Sequence, residues 1–400
     1  MKITLIRLQS KFLISDYAMP SLGILYLSSV LKQHGHQVNV IDDITKLVVD
    51  GSDIFGVSCI TPQFDSAKEI LKLIKSYRPD AWVIAGGPHA TVMPQDFLNT
   101  GFDQVVVGEG ENAVLKIIMG CKDKIIEEEY IKNLDDIPFP DRKAIDLHAY
   151  KYKIKDRDST TIITQRGCPY NKCVFCCKVW NKVRYHSSDY VKKELQEIKN
   201  LGFNALTIFD DLFFSYYSRD KEIISELGRL DFLWRCISKT THVLLNKKNI
   251  EHAAENGCVE IALGIESASN IILKNINKGL TVDVHKRAID LIRKCGIEFK
   301  INIVLGLPGE SWETIAETDK FLNDTQPDWV DINCLVVYPG TDLWENAEKY
   351  GLQISDQYLP FKRKTSEYVL NSVPQGLSNE ELLKAREYLE KKYRKDKLSQ

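Results

Sequence analysis

The chain has 400 residues, 44% hydrophobic and 27% charged, the make-up of a folded protein of two or three domains. Its 53 Lys and Arg nearly balance 55 Asp and Glu, so no basic excess marks it for a phosphate backbone, and nucleic acid is not the expected partner. No apolar run reaches the roughly 18 residues of a membrane span.

The first residues, Met1-Lys2-Ile3-Thr4-Leu5-Ile6, read as a strand and not as a signal peptide. The expected compartment is the cytoplasm, where the ten cysteines stay reduced. Residues 2–8 give a first strand and 22–34 a helix, with Leu22, Leu25, Tyr26, Ser29 and Val30 on one side and Gly35 at its end. Strands follow over 38–41 and 54–59, then an amphipathic helix over 64–77 closed by Pro79. A strand over 81–85 runs into Gly86-Gly87-Pro88-His89, and one over 104–107 into Gly108-Glu109-Gly110-Glu111. Short apolar strands separated by helices predict a parallel sheet covered on both faces. The fold class is therefore α/β, and residues 1–120 are expected to form a doubly wound, Rossmann-like domain whose ligand lies beyond the carboxyl ends of the strands.

Residues 121–158 change character. Glu127-Glu128-Glu129 and the stretch 151–158 are charge-rich, and Asp136-Ile137-Pro138-Phe139-Pro140 is broken by proline. A surface linker is expected. From Thr160 the alternation resumes, with strands over 160–164, 205–209, 233–238, 259–264, 300–305 and 329–337, and clear helices over 190–200, 282–294 and 313–323. Six strand–helix units predict a complete or partial β/α TIM-like barrel over 159–350. Residues 351–400 form a short helical extension, with Ser378 and Glu381 as a capping box and a Lys-rich tail expected to be solvated.

Four cysteines fall within ten residues, Cys168, Cys173, Cys176 and Cys177, directly after the first barrel strand. Gly167 and Pro169 supply a sharp bend that lets three thiolates of one loop converge. Zinc prefers four protein ligands, commonly two separated pairs, and no second pair stands at ligand spacing. Cys177 is awkward as a fourth ligand, because adjacent residues rarely face one ion. An iron–sulfur cluster with three Cys ligands and an open iron is favoured over zinc. The remaining strand ends carry Asp210-Asp211-Leu212-Phe213, Gly264-Ile265-Glu266-Ser267, Gly306-Leu307-Pro308-Gly309-Glu310 and Tyr338-Pro339-Gly340-Thr341. Glycines there let a ligand approach the backbone, and carboxylates there can hold ammonium or hydroxyl groups.

These motifs together resemble a radical S-adenosylmethionine (SAM) enzyme. The segments 19–27, 85–89 and 108–111 resemble the cobalamin-binding domain of one branch of that superfamily, and 134–140 is similar to its interdomain join. The resemblance implies a [4Fe–4S] cluster on Cys168, Cys173 and Cys176, and SAM chelated to the open iron and cleaved reductively to a 5′-deoxyadenosyl radical. It implies Phe175 beside the adenine and Glu266 on the ribose, with Asp210, Gly264 and the Gly306 turn lining the SAM pocket. It implies cobalamin against Leu22, Gly23, Ser58, Gly86, Gly87, His89, Glu109 and Gly110. One departure is the Cys-x4-Cys-x2-Cys spacing, where Cys-x3-Cys-x2-Cys is usual; an extra residue, Asn171 or Lys172, can loop out of a turn at small cost. Cys177 is the competing ligand, since Cys173 to Cys177 restores an x3 interval.

A corrinoid held by a protein histidine usually uses an Asp-x-His-x-x-Gly loop, and Asp146-Leu147-His148-Ala149-Tyr150-Lys151 lacks the glycine. Cobalt without a histidine from this loop is expected. His89 is either a corrin contact or a turn-stabilising residue, His34 and His36 are expected to be exposed, and Cys258 and Cys334 to be packing residues. The aromatic run Phe213, Phe214, Tyr216 and Tyr217 reads as wall or packing.

The function implied is methylation of an unactivated carbon or phosphorus of a small molecule, natural-product intermediate or lipid, with an electron donor of flavodoxin or ferredoxin type. Radical rearrangement, cyclisation or oxidation would use the same parts. Methylthio transfer would want a second Cys trio in the first 120 residues, which hold only Cys59. A non-catalytic corrinoid sensor would not need an open iron.

Overall fold

The structure, a computed structural model, describes residues 1–10, 15, 17–49, 51–177, 179, 182–354, 370–374 and 376–394. It divides into two compact units, Met1–Lys151 and the described residues from Tyr152 onward.

The first unit is a parallel sheet of six strands: β1 Lys2–Arg7, β2 Gln37–Ile41, β3 Ile54–Ser58, β4 Trp82–Gly86, β5 Gln104–Val107 and β6 Ile125–Glu127. Their order is β2-β1-β3-β4-β5-β6, so the winding direction reverses between β1 and β3. In such sheets the crevice at the reversal is where ligands bind. The core holds Ile6, Leu8, Phe55, Val57, Ala85 and Phe97, met by Ala67, Ile70, Leu71 and Ile74 of the helix Phe64–Tyr77. Each large aliphatic side chain buried there is worth roughly 1.5–3 kcal/mol.

The expected surface linker is largely part of this unit. Ile126 is buried in the sixth strand of the sheet, while its acidic neighbour Glu127 is exposed. Leu134, Ile137 and Tyr150 are buried, and Ser28 Oγ and Ser29 Oγ of the helix Leu22–Gln33 donate to Asp141 Oδ2 and the Phe139 carbonyl. Proline and charge disguised a segment that buries Ile126, Leu134, Ile137, Leu147 and Tyr150 at irregular intervals.

The second unit is a half-barrel: β7 Lys153–Ile154, β8 Arg157–Ile162, β11 Ala205–Ile208, β12 Leu233–Ser238, β13 Cys258–Glu266, β14 Glu298–Leu305 and β15 Trp329–Cys334. Between β8 and β11, β9 Gln165–Arg166 and β10 Arg184–Tyr185 form a separate antiparallel pair. The six strands from β8 to β15 are parallel and in sequence order, while β7 pairs antiparallel with β8. Charged residues at 151–158 thus make a hairpin, not a linker. Along β14, Phe299, Ile301, Ile303 and Leu305 are buried on one face, and Lys300, Asn302 and Val304 are half-buried on the other. That second, inner face carries a charged layer in which Arg235 Nε donates to Thr207 Oγ1 at 3.0 Å and Lys300 pairs with Asp331 at 2.5 Å.

The helix Asn379–Tyr393 begins at the expected capping box and buries Leu382, Ala385 and Leu389. Arg386 Nε donates to the Ile332 carbonyl of the edge strand β15 at 3.0 Å. Its basic end is exposed, as expected, and Lys392 Nζ and Tyr393 Oη both reach Asp319. Residues 395–400 of the tail lie outside the described residues. Cys258 and Cys334 are buried, as packing residues should be. His34 is exposed, whereas His36 is half-buried.

Candidate functional site

The cysteine loop leaves the carboxyl end of β8. Its base is closed by β9 against β10, where Arg166 pairs with Arg184 and Gln165 with Tyr185. Gly167 takes φ +96°, the left-handed turn for which the sequence supplies glycine. Val174 is buried among Ile272, Ile276, Leu307 and Leu343; its N–H donates to the Ile276 carbonyl and its carbonyl accepts from Leu343 N. Phe175 packs half-buried against the same cluster.

Cys173 is buried, Cys168 half-buried, and Cys176 and Cys177 exposed. A hydrogen bond from the Cys176 thiol, with help from the Lys278 and Lys239 ammonium charges, lowers Cys173 to about 7, against the raising effect of its burial. The same bond and burial raise Cys176. Cys177, exposed as a residue, is raised by partial desolvation of its sulfur, although a backbone hydrogen bond with Val179 works the other way.

Two lysines that carry no motif complete this surround. Lys239, just past β12, has Nζ 2.8 Å from the Tyr170 ring centroid and donates to the Lys278 carbonyl at 2.7 Å. Burial lowers Lys239 to about 8. Lys278 is buried, which works against its charge, but the Glu266 carboxylate and Cys173 outweigh that and raise it. Close-set sulfur donors beside two ammonium groups suit an anionic iron–sulfur centre. Among the described residues no three Cys, His, Asp or Glu side chains gather around a single-ion position.

The expected SAM residues divide into two groups. Glu266 ends β13 after a register irregularity between Gly264 and Glu266, at φ +66°, a strained conformation for a residue with a side chain. Its Oε1 lies 2.8 Å from Lys278 Nζ. A Cβ at Gly264 would stand 2.6 Å from Glu266 Oε1 and 3.2 Å from Lys278 Nζ, so the missing side chain makes room for that pair. Phe175 lies 5.9 Å, ring centroid to Nζ, from the same Lys278. Phe175, Gly264 and Glu266 are thus brought together with the cysteine loop.

Asp210 is not open to a ligand. It is buried, accepting from Thr164 N at 2.6 Å, Thr164 Oγ1 at 2.5 Å and Gln165 N at 3.1 Å. Burial raises it to about 6 despite those donors. The carboxylate ties the root of the cysteine loop to the end of β11. Glu310 is likewise turned inward, accepting from Gly306 N at 3.1 Å and from Thr314 Oγ1, with burial raising it to about 7. Gly306 takes φ +85°, and a Cβ there would meet Leu382 Cδ1 at 3.2 Å. Phe213 and Phe214 are fully buried against Trp234, which settles them as packing, while Tyr216 and Tyr217 are exposed.

In the first unit, Ser58 and Gly86 are register partners at the carboxyl ends of β3 and β4. Gly87, at φ +95°, has the Cys59 carbonyl oxygen 2.9 Å and Ser58 Oγ 3.2 Å from where a Cβ would stand. A Cβ at Gly110 would come 2.9 Å from Leu27 Cδ2. Gly23 is exposed beside buried Leu22 at the start of its helix. Two of the residues named for the corrin, His89 and Glu109, are turned inward. His89 has no exposed surface: its ring packs against Phe64 and Phe97, 3.6 Å from Asp96, and burial lowers it to about 4. It stabilises its turn from within the core. Glu109 is also buried, and its Oε2 accepts from Ile131 N at 2.8 Å, fastening the segment after β6.

Comparison with known proteins agrees with this architecture. A B12 binding domain model matches residues 15–118, and a Radical SAM superfamily model matches residues 162–322. The chain is 30% identical over 396 residues to PH0819 of Pyrococcus horikoshii, described as an uncharacterized methyltransferase, a match covering 88% of this chain and 85% of that one. It is 27% identical over 369 residues to an anaerobic magnesium-protoporphyrin IX monomethyl ester cyclase of Rubrivivax gelatinosus, over 82% of this chain and 66% of the cyclase. Its fold is like that of the radical S-adenosylmethionine methyltransferase TsrM from Kitasatospora setae, solved with cobalamin and a [4Fe-4S] cluster bound, with TM-score 0.76 and 16% identity over 97% of this chain and 90% of the other. With both domain models in order and a relative matched along most of its length, the chain belongs to the radical S-adenosylmethionine superfamily, in the branch that carries a B12-binding domain.

Proposed function

We propose that this chain is a cobalamin-dependent radical SAM methyltransferase acting on a small molecule with an apolar face. The observation that carries the reading is the cysteine loop, rooted at the end of β8 and flanked by Lys239 and Lys278. Cys168, Cys173 and Cys176 hold the [4Fe–4S] cluster; Phe175, Gly264, Glu266 and the Gly306 turn hold SAM. The corrinoid lies against Leu22, Gly23, Ser58, Gly86, Gly87 and Gly110. When bound, the cluster supplies the electron that cleaves SAM, and the corrinoid carries the methyl group.

The protein's own part is placement and exclusion of water. Lys278 orients the Glu266 carboxylate, and Val174, held from both sides, fixes the loop between its second and third cysteines. On the inner face, Phe209 and Ile237 lie one step beyond the Ile208–Cys236 pairing, above charged Arg235. They are 52% and 39% exposed although large and apolar, which supports an apolar substrate surface there. Reduction by a flavodoxin- or ferredoxin-type donor and a cytoplasmic setting go with this chemistry. Among the described residues no helix is long and apolar enough to cross a membrane.

The likeness to a cyclase favours one second reading, ring closure without methyl transfer. Turnover with deuterated-methyl SAM separates the two: label in the product supports methylation, and unlabelled product supports cyclisation. Cys173→Ala is expected to strip the iron and Cys177→Ala to leave it; the reverse pattern overturns the ligand assignment.

A further inference from the structure

The interval between the first two cysteines holds one residue more than is usual, and the structure shows where the extra residue goes. Asn171 takes φ +40°, a left-handed conformation that asparagine tolerates better than most residues. The residues on either side of it are both fastened to Asn277. Tyr170 Oη donates to the Asn277 carbonyl at 2.6 Å, and Asn277 Nδ2 donates to the Lys172 carbonyl at 3.0 Å. Asn277 is itself left-handed, at φ +52°. Lys239 Nζ sits over the Tyr170 ring while donating to the Lys278 carbonyl. A Cβ at Gly279 would stand 2.1 Å from Tyr170 Oη, so glycine clears the space the phenol occupies. Past the bulge, Val174 N returns to the Ile276 carbonyl at 3.2 Å. Residues 276–279 therefore run beside 170–174 as a template, with left-handed Asn171 at the bend.

We infer that Tyr170, Asn277 and Lys239 form a clamp that absorbs Asn171 and so keeps Cys168 in register with Cys173 and Cys176. They act as positioning residues, and the inference rests on those three cysteines being the cluster ligands. The Tyr170–Asn277 and Asn277–Lys172 bonds lie at the protein surface, so losing either changes the folding of the whole unit little. Losing one releases the bulge, and the first thiolate then drifts relative to the other two.

The test uses the full chain, reconstituted anaerobically with iron and sulfide. Tyr170→Phe removes one bracket of the bulge by a single hydroxyl, and Asn277→Ala removes the other. Each is expected to speed iron loss to a chelator about fivefold, the worth of one ordinary hydrogen bond, and to broaden the electron paramagnetic resonance signal of the reduced cluster. Deleting Asn171 in the Asn277→Ala background is expected to restore iron retention, because no residue is then left to absorb; a general loss of stability would not be rescued this way. Wild-type retention in both single variants, or no rescue by the deletion, overturns the clamp. A wild-type chain that takes up no iron–sulfur cluster overturns the ligand reading instead, and is recognised before any variant is compared.

Discussion

Lys278 Nζ stands 2.8 Å from Glu266 Oε1, and the two side chains are buried together where β13 ends in a left-handed residue. The pair joins the turn that follows β13 to the segment that templates the cysteine loop, so the candidate ribose contact and the candidate cluster loop share one support.

Glu266→Gln leaves the Lys278 charge without its carboxylate. Removing one partner of a buried ion pair costs about 3 kcal/mol, and urea unfolding is expected to show a loss of that order. The double variant Glu266→Gln/Lys278→Met should recover part of it, while SAM binding measured by equilibrium dialysis stays weakened in both. Full recovery of SAM binding in the double variant would remove Glu266 from the ribose site.

Gly87→Ala places a methyl group 2.9 Å from the Cys59 carbonyl oxygen at φ +95°. Strain and crowding together are expected to cost about 3 kcal/mol. Cobalt content after reconstitution with a corrinoid should fall, while iron content is unchanged. Iron and cobalt falling together would show that the turn is not specific to the corrinoid.

His89 is neutral in the folded chain, because burial lowers it to about 4 from an ordinary value near 6.5. The unfolded chain takes up its proton first as pH falls, so the stability tied to His89 is complete above pH 6.5 and is lost as pH falls towards 4. The loss is about 3 kcal/mol. Asp210 and Glu310, raised to about 6 and about 7, act in the opposite sense, because the folded chain takes up their protons first as pH falls. The difference between His89→Asn and wild type in urea midpoints from pH 7 to 4 isolates the histidine: the variant should gain on wild type as the solution is acidified.

Ser378→Ala removes the cap that accepts from Glu381 N and is expected to cost about 1 kcal/mol. Amide exchange in the helix Asn379–Tyr393 should quicken, along with that of the edge strand β15 beneath it. Exchange confined to the first turn of the helix would show that strand and helix open independently.

The order of strands and helices was legible because the strands are short apolar runs and the helices carry apolar stripes; β4 and the helix Phe64–Tyr77 are examples. The cysteine loop was legible because its donors are close in sequence. Lys239, Asn277 and Lys278 were not, because they carry no motif and their partners lie elsewhere in the chain, 39 residues away for Lys239 on the Lys278 carbonyl and 105 for Asn277 on that of Lys172. The carboxylate directions were hidden for another reason: an aspartate at a strand end can face a ligand or brace its own turn, and Asp210 and Glu310 do the second. β6 escaped notice because three residues among acidic neighbours give too short a pattern to recognise.

The helix Asn379–Tyr393 lies along β15, the outermost strand of the half-barrel, with Arg386 on the Ile332 carbonyl. A chain cut before Ser378 would present a bare row of peptide groups to its neighbours, an invitation to stick edge to edge. Shortened versions made for crystallisation are therefore expected to stay dispersed only when they run past Tyr393.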